Sequence, residues 1–397
     1  MSMTLSKYSK LLAAGGTWCT VLTDAGTGTA ASLEAADVRP GHIRDELLAA
    51  GAASADARAV EEAVKPLEGV PSPVARFVIA HDGHVEVDEV MTGERVDSPY
   101  VNVGVIPDLL PLLRHSTADM PFVAVSVDRT GADITLAHAA RPLGTGGTST
   151  YTTQGITENL KKVPTGGWSQ GQFQHRTEEV WRKNAEEVAA EIDRLVEAER
   201  PAVVAIGGDI RARELVFDQL SDASRAVAAQ VESHTRAGGA DPEVMHAAVE
   251  RLLAEVEARS QYQLLDKLAE EKGHNRGRAA FGLGAVVQAL QQAQVQTLVL
   301  SNELTRDPGA GNTAAGPGTR SAHNMLVLAA SPWVALEKSE ALGGQILGQA
   351  PAASALIRAA VLTDADVELV PITAIPGRAN AAALLRWNTG PAVPRER

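Results

Sequence analysis

The sequence predicts a mixed α/β (α+β) protein of three domains, and three observations carry that expectation. Its 397 residues exceed one ordinary core and suit two or three domains. Runs rich in β-branched residues, such as Val74–Ala80 and Phe122–Asp128, alternate with long segments of helical period. Between them lies Pro142–Thr153 (PLGTGGTSTYTT), a Gly/Thr-rich stretch without periodicity that reads as a connection. The expected division is residues 1–142, 143–272 and 273–397.

Taken in order, VARFVIA and FVAVSVD are bounded by Pro and Gly, as strands of a sheet core should be. The dipeptide Asp82-Gly83 inside HDGHVEVDEV predicts a hairpin, and ADITLAHAA after Gly131 repeats the alternation. The first domain is therefore expected to contain antiparallel meanders. A polar loop then leads into a helix expected from Thr177 to Glu199, with Val180, Trp181, Asn184, Val188, Ile192, Leu195 and Val196 near helical spacing. Thr177 offers a cap and Glu178-Glu179 place acids in the first turn. Pro201 ends the helix, AVVAIGGD reads as a strand running into a glycine turn, and ARELVFDQL resumes helical spacing, a βα pattern. A further helix is expected from Pro242 to Lys272. In the last segment GLGAVVQALQQAQVQTLVLS and LIRAAVLTDADVELVPI each spell helix, turn, strand. Between them Asp307–Asn324 has little apolar content and reads as a loop.

Hydrophobic residues at 45% and charged residues at 21% give a globular balance. A net charge of −13 argues against a protein that coats nucleic acid indiscriminately, since such binding scales with the phosphates neutralised by Lys and Arg. Contact with RNA must be local, and no DNA partner is expected. Cys19 stands alone, so neither a disulfide framework nor a thiolate zinc site is available. MSMTLSKYSKLLAAGG holds no signal-peptide core, and no run approaches the roughly 20 apolar residues that span a bilayer, so the expected setting is the cytoplasm without a membrane.

The segment from Asn159 to Thr177 has a distinctive charge pattern. Lys161, Lys162, Arg176 and His175 occur with no Asp or Glu among them, a local phosphate-seeking surface on an acidic chain. Trp168 and Phe173 add stacking faces, and Gln170, Gln172 and Gln174 add two-way hydrogen-bonding groups, a combination suited to irregular RNA. The plain alternative is a solvated loop with Trp168 packed locally. Lys272, His274, Arg276 and Arg278 form a second basic run, which also suits a helix C-terminus. Arg211 and Arg213 after Gly207-Gly208 could hold a phosphate at a helix N-terminus, or decorate a solvent face. His81 and His84, with Glu86 and Asp88, could suggest a metal, although a solvated turn is the simpler reading. No Gly-rich phosphate loop with a closing Lys-Ser/Thr is present, no Ser/His/Asp set stands out, and no cofactor is indicated.

Two stretches resemble the archaeal and eukaryotic class-1 release factor superfamily, which includes Pelota. PTGGWSQGQFQHRTEEVWRKNAEEVAAEI is similar to its central-domain pattern of paired glycines, polar loop, Arg and long helix. GLGAVVQALQQAQVQTLVLS with the later VELVPI is similar to its C-terminal domain, itself akin to kink-turn-binding ribosomal proteins. Within bacteria, the likeness is to the family containing the ribosome hibernation factor Balon. Where release factors carry Gly-Gly-Gln, this chain has Gly166-Gly167-Trp168. The resemblance implies a loop that enters the peptidyl transferase centre, with Lys161, Lys162, Gly166, Gly167, Trp168, Gln170, Gln172, His175 and Arg176 meeting ribosomal RNA. Trp168 cannot replace the Gln, because an indole offers one N–H donor and no acceptor to position a water. The implied role is a hibernation factor in the A site of the 70S ribosome, touching 16S and 23S rRNA, delivered by elongation factor Tu and lacking enzymatic activity. The alternatives are a rescue hydrolase using Gln170 or Gln172, and an RNA-binding stress adaptor acting off the ribosome.

Overall fold

The computed structural model describes residues 5–26, 38–65, 74–92, 96–115, 120–128, 130–139, 149–154, 169–232, 242–274, 277–304, 325–341 and 344–388. They form mixed α/β structure with four sheets, divided into two units: residues 1–118 with 260–397, and residues 119–259.

The first segment begins with α1 (Ser9–Ala13), followed by β1 (Trp18–Asp24), α2 (Arg39–Ala49), α3 (Ser54–Ala63), β2 (Val74–His81), β3 (His84–Thr92), β4 (Tyr100–Gly104) and α4 (Leu110–His115). The four strands make an antiparallel sheet in the order β3-β2-β1-β4. Every residue of the inner strand β1 is buried, because alternate side chains meet packed layers on both faces. Cys19 and Val21 pack with Ile43, Leu47, Ala57 and Val60 of α2 and α3, while Trp18 and Leu22 belong to a larger core with Phe77 and Ile79. The hairpin expected at Asp82-Gly83 is present. Both residues have positive φ, +49° and +78°, which the Asp-Gly pair tolerates and most residues do not.

The central unit contains β5 (Pro121–Asp128), β6 (Gly131–His138), β7 (Ser149–Gln154), α5 (Ser169–Glu199), β8 (Val203–Gly208), α6 (Ile210–Gln219), α7 (Asp222–Val227) and β9 (Ala228–Gln230). Its sheet runs β7-β6-β5-β8-β9, with β5, β8 and β9 parallel and β6 and β7 antiparallel. This corrects the expected boundary near Pro142. Phe122–Asp128, read as part of the first domain, pairs in parallel with Val203–Gly208 some eighty residues later, a choice of partner that local pattern does not encode. The stretch read as a linker also contributes a strand, since Ser149-Thr150-Tyr151-Thr152-Thr153 is rich in β-branched and aromatic residues.

The helix α8 (Pro242–His274) follows, and the division between the units falls within it, at Arg259/Ser260 and not at residue 272 as expected. The last segment contains β10 (Ala279–Phe281), α9 (Leu283–Gln291), β11 (Val295–Ser301), β12 (Met325–Ala329), β13 (Val334–Ala335), β14 (Ile346–Pro351), α10 (Ala352–Leu362), β15 (Asp366–Val370) and β16 (Ala381–Leu385). One sheet runs β10-β16-β11-β15 with β11 and β15 parallel, and a smaller one runs β13-β12-β14. The loop expected over Asp307–Asn324 lies outside the described residues.

The first and last segments, expected as separate domains, share one core. Leu5, Tyr8 and Leu12 pack with Leu356, Ala353 and Ala360 of α10. Two buried polar groups fasten the same junction. Asp108 Oδ1 accepts from Ser354 Oγ (3.0 Å) and Leu110 N (3.0 Å), and its Oδ2 accepts from Tyr100 OH (2.6 Å). Arg358, fully buried, donates through Nε to Leu12 O (2.9 Å) and at longer range to the carbonyls of Trp333 and Ala329. Burial lowers its pKa to about 10, so it remains charged at neutral pH.

Candidate functional site

The helix α5 is the element that leads out of the basic, glycine-containing segment. Ala185, Val188, Ala189, Ile192 and Leu195 recur at helical spacing and pack on Val123, Val125, Ile134, Val204 and Ile206 of the sheet. Burying this stripe anchors the C-terminal half of the helix. Asn184, 3% exposed, begins the buried stretch among residues whose side chains are described. From there the helix continues back to Ser169, about 22 Å along its axis at about 1.5 Å per residue.

This start corrects the sequence reading, which placed a loop through Arg176 and a cap at Thr177. Gln170, Gln172, His175 and Arg176 lie in the first turns of α5, and Thr177 lies in its interior. The early turns were missed because Ser169–Arg176 (SQGQFQHR) contains one glycine and shows no apolar period. Lys161, Lys162, Gly166, Gly167 and Trp168 lie outside the described residues, and Trp168 is joined directly to the first residue of the helix. Arg182 and Lys183, which the sequence reading did not single out, are exposed on the same helix and form no ion pair among the described residues.

Farther along α5, Arg194 Nη2 binds Glu191 Oε1 at 2.6 Å and lies over the Tyr151 ring. The Arg194 hydrogen bond holds the Glu191 carboxyl below the usual carboxylate range and raises the guanidinium in turn. Where α5 crosses the ends of β5 and α6, Val127, Asp128, Trp181, Asn184 and Leu215 line a cavity of about 10 Å³. That is room for about one water.

The glycine turn after β8 does not make a phosphate site. Asp209 caps α6, its Oδ1 accepting from Arg211 N (3.1 Å) and Ala212 N (3.2 Å), so a carboxylate already occupies the place an anion would take. Arg213 is buried, and its Nη1 donates to the Val231 carbonyl. It therefore ties α6 to the segment after β9.

The other candidates resolve into packing or pairing. His81 stacks on Trp18 with ring centroids 4.2 Å apart and its Nδ1 meets Thr17 O at 2.9 Å. Asp88 takes both of its contacts from Arg76, at 2.7 and 2.6 Å. Among the described residues no three His, Cys, Asp or Glu side chains gather as a metal site. Cys19 is buried and its thiol is pushed up to about 11, first by desolvation and then by Asp56, which makes it a packing residue and a poor nucleophile. Lys272 Nζ donates to Pro376 O (2.9 Å) and lies over Phe281, and His274 Nδ1 meets Glu270 O (3.0 Å). These two serve the end of α8, while Arg276 lies outside the described residues. No described helix is long and apolar enough to cross a membrane.

The central sheet, its long helix and the Gly-Gly-Trp sequence joined to that helix have the makings of a release-factor-like domain. Residues 121–274, which include that sheet and the long helix, match bacterial archaeo-eukaryotic release factor family 2. Two uncharacterized proteins of Mycobacterium tuberculosis, MT2704 of strain CDC 1551 / Oshkosh and Rv2629 of strain H37Rv, are each 30% identical over 295 residues, spanning 73% of this chain and 76% of theirs. The chain belongs to this family of bacterial archaeo-eukaryotic release factors. Among solved structures it is similar to Archaeoglobus fulgidus Pelota, with 16% identity over 79% of this chain and 80% of that one at a TM-score of 0.36. It is also similar to S. cerevisiae Dom34, a translation termination-like factor, with 9% identity over 80% and 81% at a TM-score of 0.40.

Proposed function

We propose that this protein is a ribosome-binding factor without peptide-release chemistry, which occupies the A site and keeps idle ribosomes out of translation. The observation that carries the reading is Gly166-Gly167-Trp168, set immediately before a 31-residue helix in a member of a release factor family. Paired glycines give the backbone reach into a confined site. An indole in place of a carboxamide removes the acceptor that would orient a hydrolytic water. Lys161, Lys162 and Arg176, with Arg182 and Lys183 farther along the helix, supply the charge for ribosomal RNA. The partners under this reading are the 70S ribosome, through 16S and 23S rRNA, and elongation factor Tu as the delivering GTPase, all in the cytoplasm. Hibernation of the Balon kind is the physiological role it fits.

The rival reading, a rescue hydrolase, would need Gln170 or Gln172 to act in place of the missing Gln. Both lie in the first turn of α5, where helical geometry fixes the backbone and Gly171 cannot contribute loop freedom, which weighs against it. The test combines sedimentation with peptide release. Ribosomes from stationary cells should carry the protein down the gradient, and a programmed ribosome should release no peptide above background in its presence. Release that disappears with Gln172→Ala would replace this reading with the hydrolase, and a protein that never enters the ribosomal fractions would end both.

A further inference from the structure

Just past β16 stands an exposed aromatic residue, Trp387, next in sequence to Arg386 and to Asn388, which Arg278 contacts. Leu385 N donates to Arg278 O (2.9 Å) on one side, and Arg386 N donates to Gln294 O (2.8 Å) on the other. The strand therefore leaves the sheet held between its neighbours, and Trp387 follows at once. Trp387 is 49% exposed, whereas Trp18 is buried and the Trp333 Nε1 is bonded to Glu340 O. In a chain with 4% aromatic residues, a half-exposed indole two residues past the end of a sheet strand is an unusual surface.

The flanking charges are held but not neutralised. Arg278 is exposed, and its Nε donates to Asn388 Oδ1 (3.1 Å), which draws the guanidinium along the segment containing Trp387. Arg386 Nη2 donates to the backbone carbonyl of Asp364. Neither arginine pairs with a carboxylate among the described residues, although the chain carries 49 acids against 36 Lys and Arg. Their remaining N–H groups are free to take phosphate oxygens, for which the planar guanidinium is well matched.

We infer that Arg278, Arg386 and Trp387 form a platform for unpaired RNA, with a base stacked on the Trp387 indole and the adjoining phosphates on the two guanidinia. A neutral apolar partner would leave two desolvated charges at its edge. A duplex would offer its base faces only at its ends, whereas a single strand presents face and phosphate together. The platform shares no residue with 159–176, and it stands whether or not the ribosome reading of that segment holds.

The test uses the full chain and a short fluorescein-labelled oligouridine, read by anisotropy, with an RNA duplex and polyglutamate as competitors. Trp387→Ala should weaken oligouridine binding about ten-fold, as expected for losing one base stack, and Trp387→Phe should restore part of it. Arg278→Ala with Arg386→Ala should flatten the dependence of affinity on salt by about one unit of slope or more, the share of two phosphates on a single strand. All these side chains are at the surface, and matching thermal melts confirm that each variant folds. Lys161→Glu with Lys162→Glu separates the two sites, because the Trp387-dependent part of binding should persist in that variant. Equal affinity of wild type and Trp387→Ala, loss of the Trp387 effect in the loop variant, or displacement of the RNA by polyglutamate more readily than by unlabelled oligouridine, would each overturn the inference.

Discussion

Replacing Gly208 by alanine adds one carbon where the central sheet has no room for it. Gly208 ends β8 opposite Val127 of β5, with φ at +119°, a conformation that side-chain-bearing residues avoid. A Cβ built there lies 1.9 Å from the Val127 carbonyl oxygen and 2.9 Å from the backbone C and N of the same residue. Relief to an ordinary contact requires the two strands to part by about 1 Å or more. That movement breaks the bond from Asp209 N to the same Val127 oxygen, 3.0 Å in the native sheet. Backbone strain of about 1–3 kcal/mol and a lost hydrogen bond of about 1 kcal/mol sum to roughly 3 kcal/mol. Gly41, in α2, is the control. Nothing lies within 4 Å of its Cβ position, so Gly41→Ala should leave stability unchanged or raise it by about 0.4–1 kcal/mol. Hydrogen exchange on peptides covering Val203–Gly208 reads the local effect. Gly208→Ala should speed exchange there about a hundred-fold while Gly41→Ala does not, and unchanged protection in the first variant would refute the packing described at this turn.

Cys19 should resist alkylation at pH 8 in the folded protein and react once the chain is unfolded in denaturant. Its folded pKa is raised from 9.0 to about 11, so the stabilisation it contributes is complete below pH 9 and is lost as pH rises toward 11. Stability measured across that window should fall less steeply in Cys19→Ala than in wild type; rapid labelling of the native thiol at pH 8 would contradict the buried placement. Asp108→Ala removes the acceptor of the Tyr100 and Ser354 hydroxyls and the Leu110 amide, and should destabilise the unit formed by the first and last segments by about 3 kcal/mol in urea unfolding, without effect on exchange in β5 and β8. Asp209→Ala removes the cap of α6 and should cost about 1 kcal/mol, visible as faster exchange in its first turn.

Local signals made much of the fold readable. The Asp82-Gly83 turn, the apolar stripe from Val188 to Leu195, the stop at Pro201 and the strand Val203–Gly208 all depend on residues near one another in sequence, and each is found where its chemistry placed it. Pairing was not readable in the same way. Nothing near Phe122–Asp128 reports that its partner is Val203–Gly208, and nothing in Leu5–Leu12 reports that its apolar residues pack on α10. Hence the boundaries expected at 142 and 272 moved. Arg213 illustrates the limit for sites: a lone arginine after a glycine pair reads as a phosphate ligand, yet its burial and its bond to the Val231 carbonyl are set by a segment eighteen residues away. The reading of Gly166-Gly167-Trp168 rests on residue identity alone, because those residues lie outside the described structure.

The central claim, docking at the ribosomal A site without release chemistry, is tested most directly by a reconstruction of the protein bound to 70S ribosomes purified from stationary cells. The account predicts density for the chain in the A site, with Gly166, Gly167 and Trp168 at the peptidyl transferase centre and Lys161, Lys162 and Arg176 against ribosomal RNA phosphates. Ribosomes carrying the protein at another site, or with that loop turned away from the catalytic centre, would contradict it.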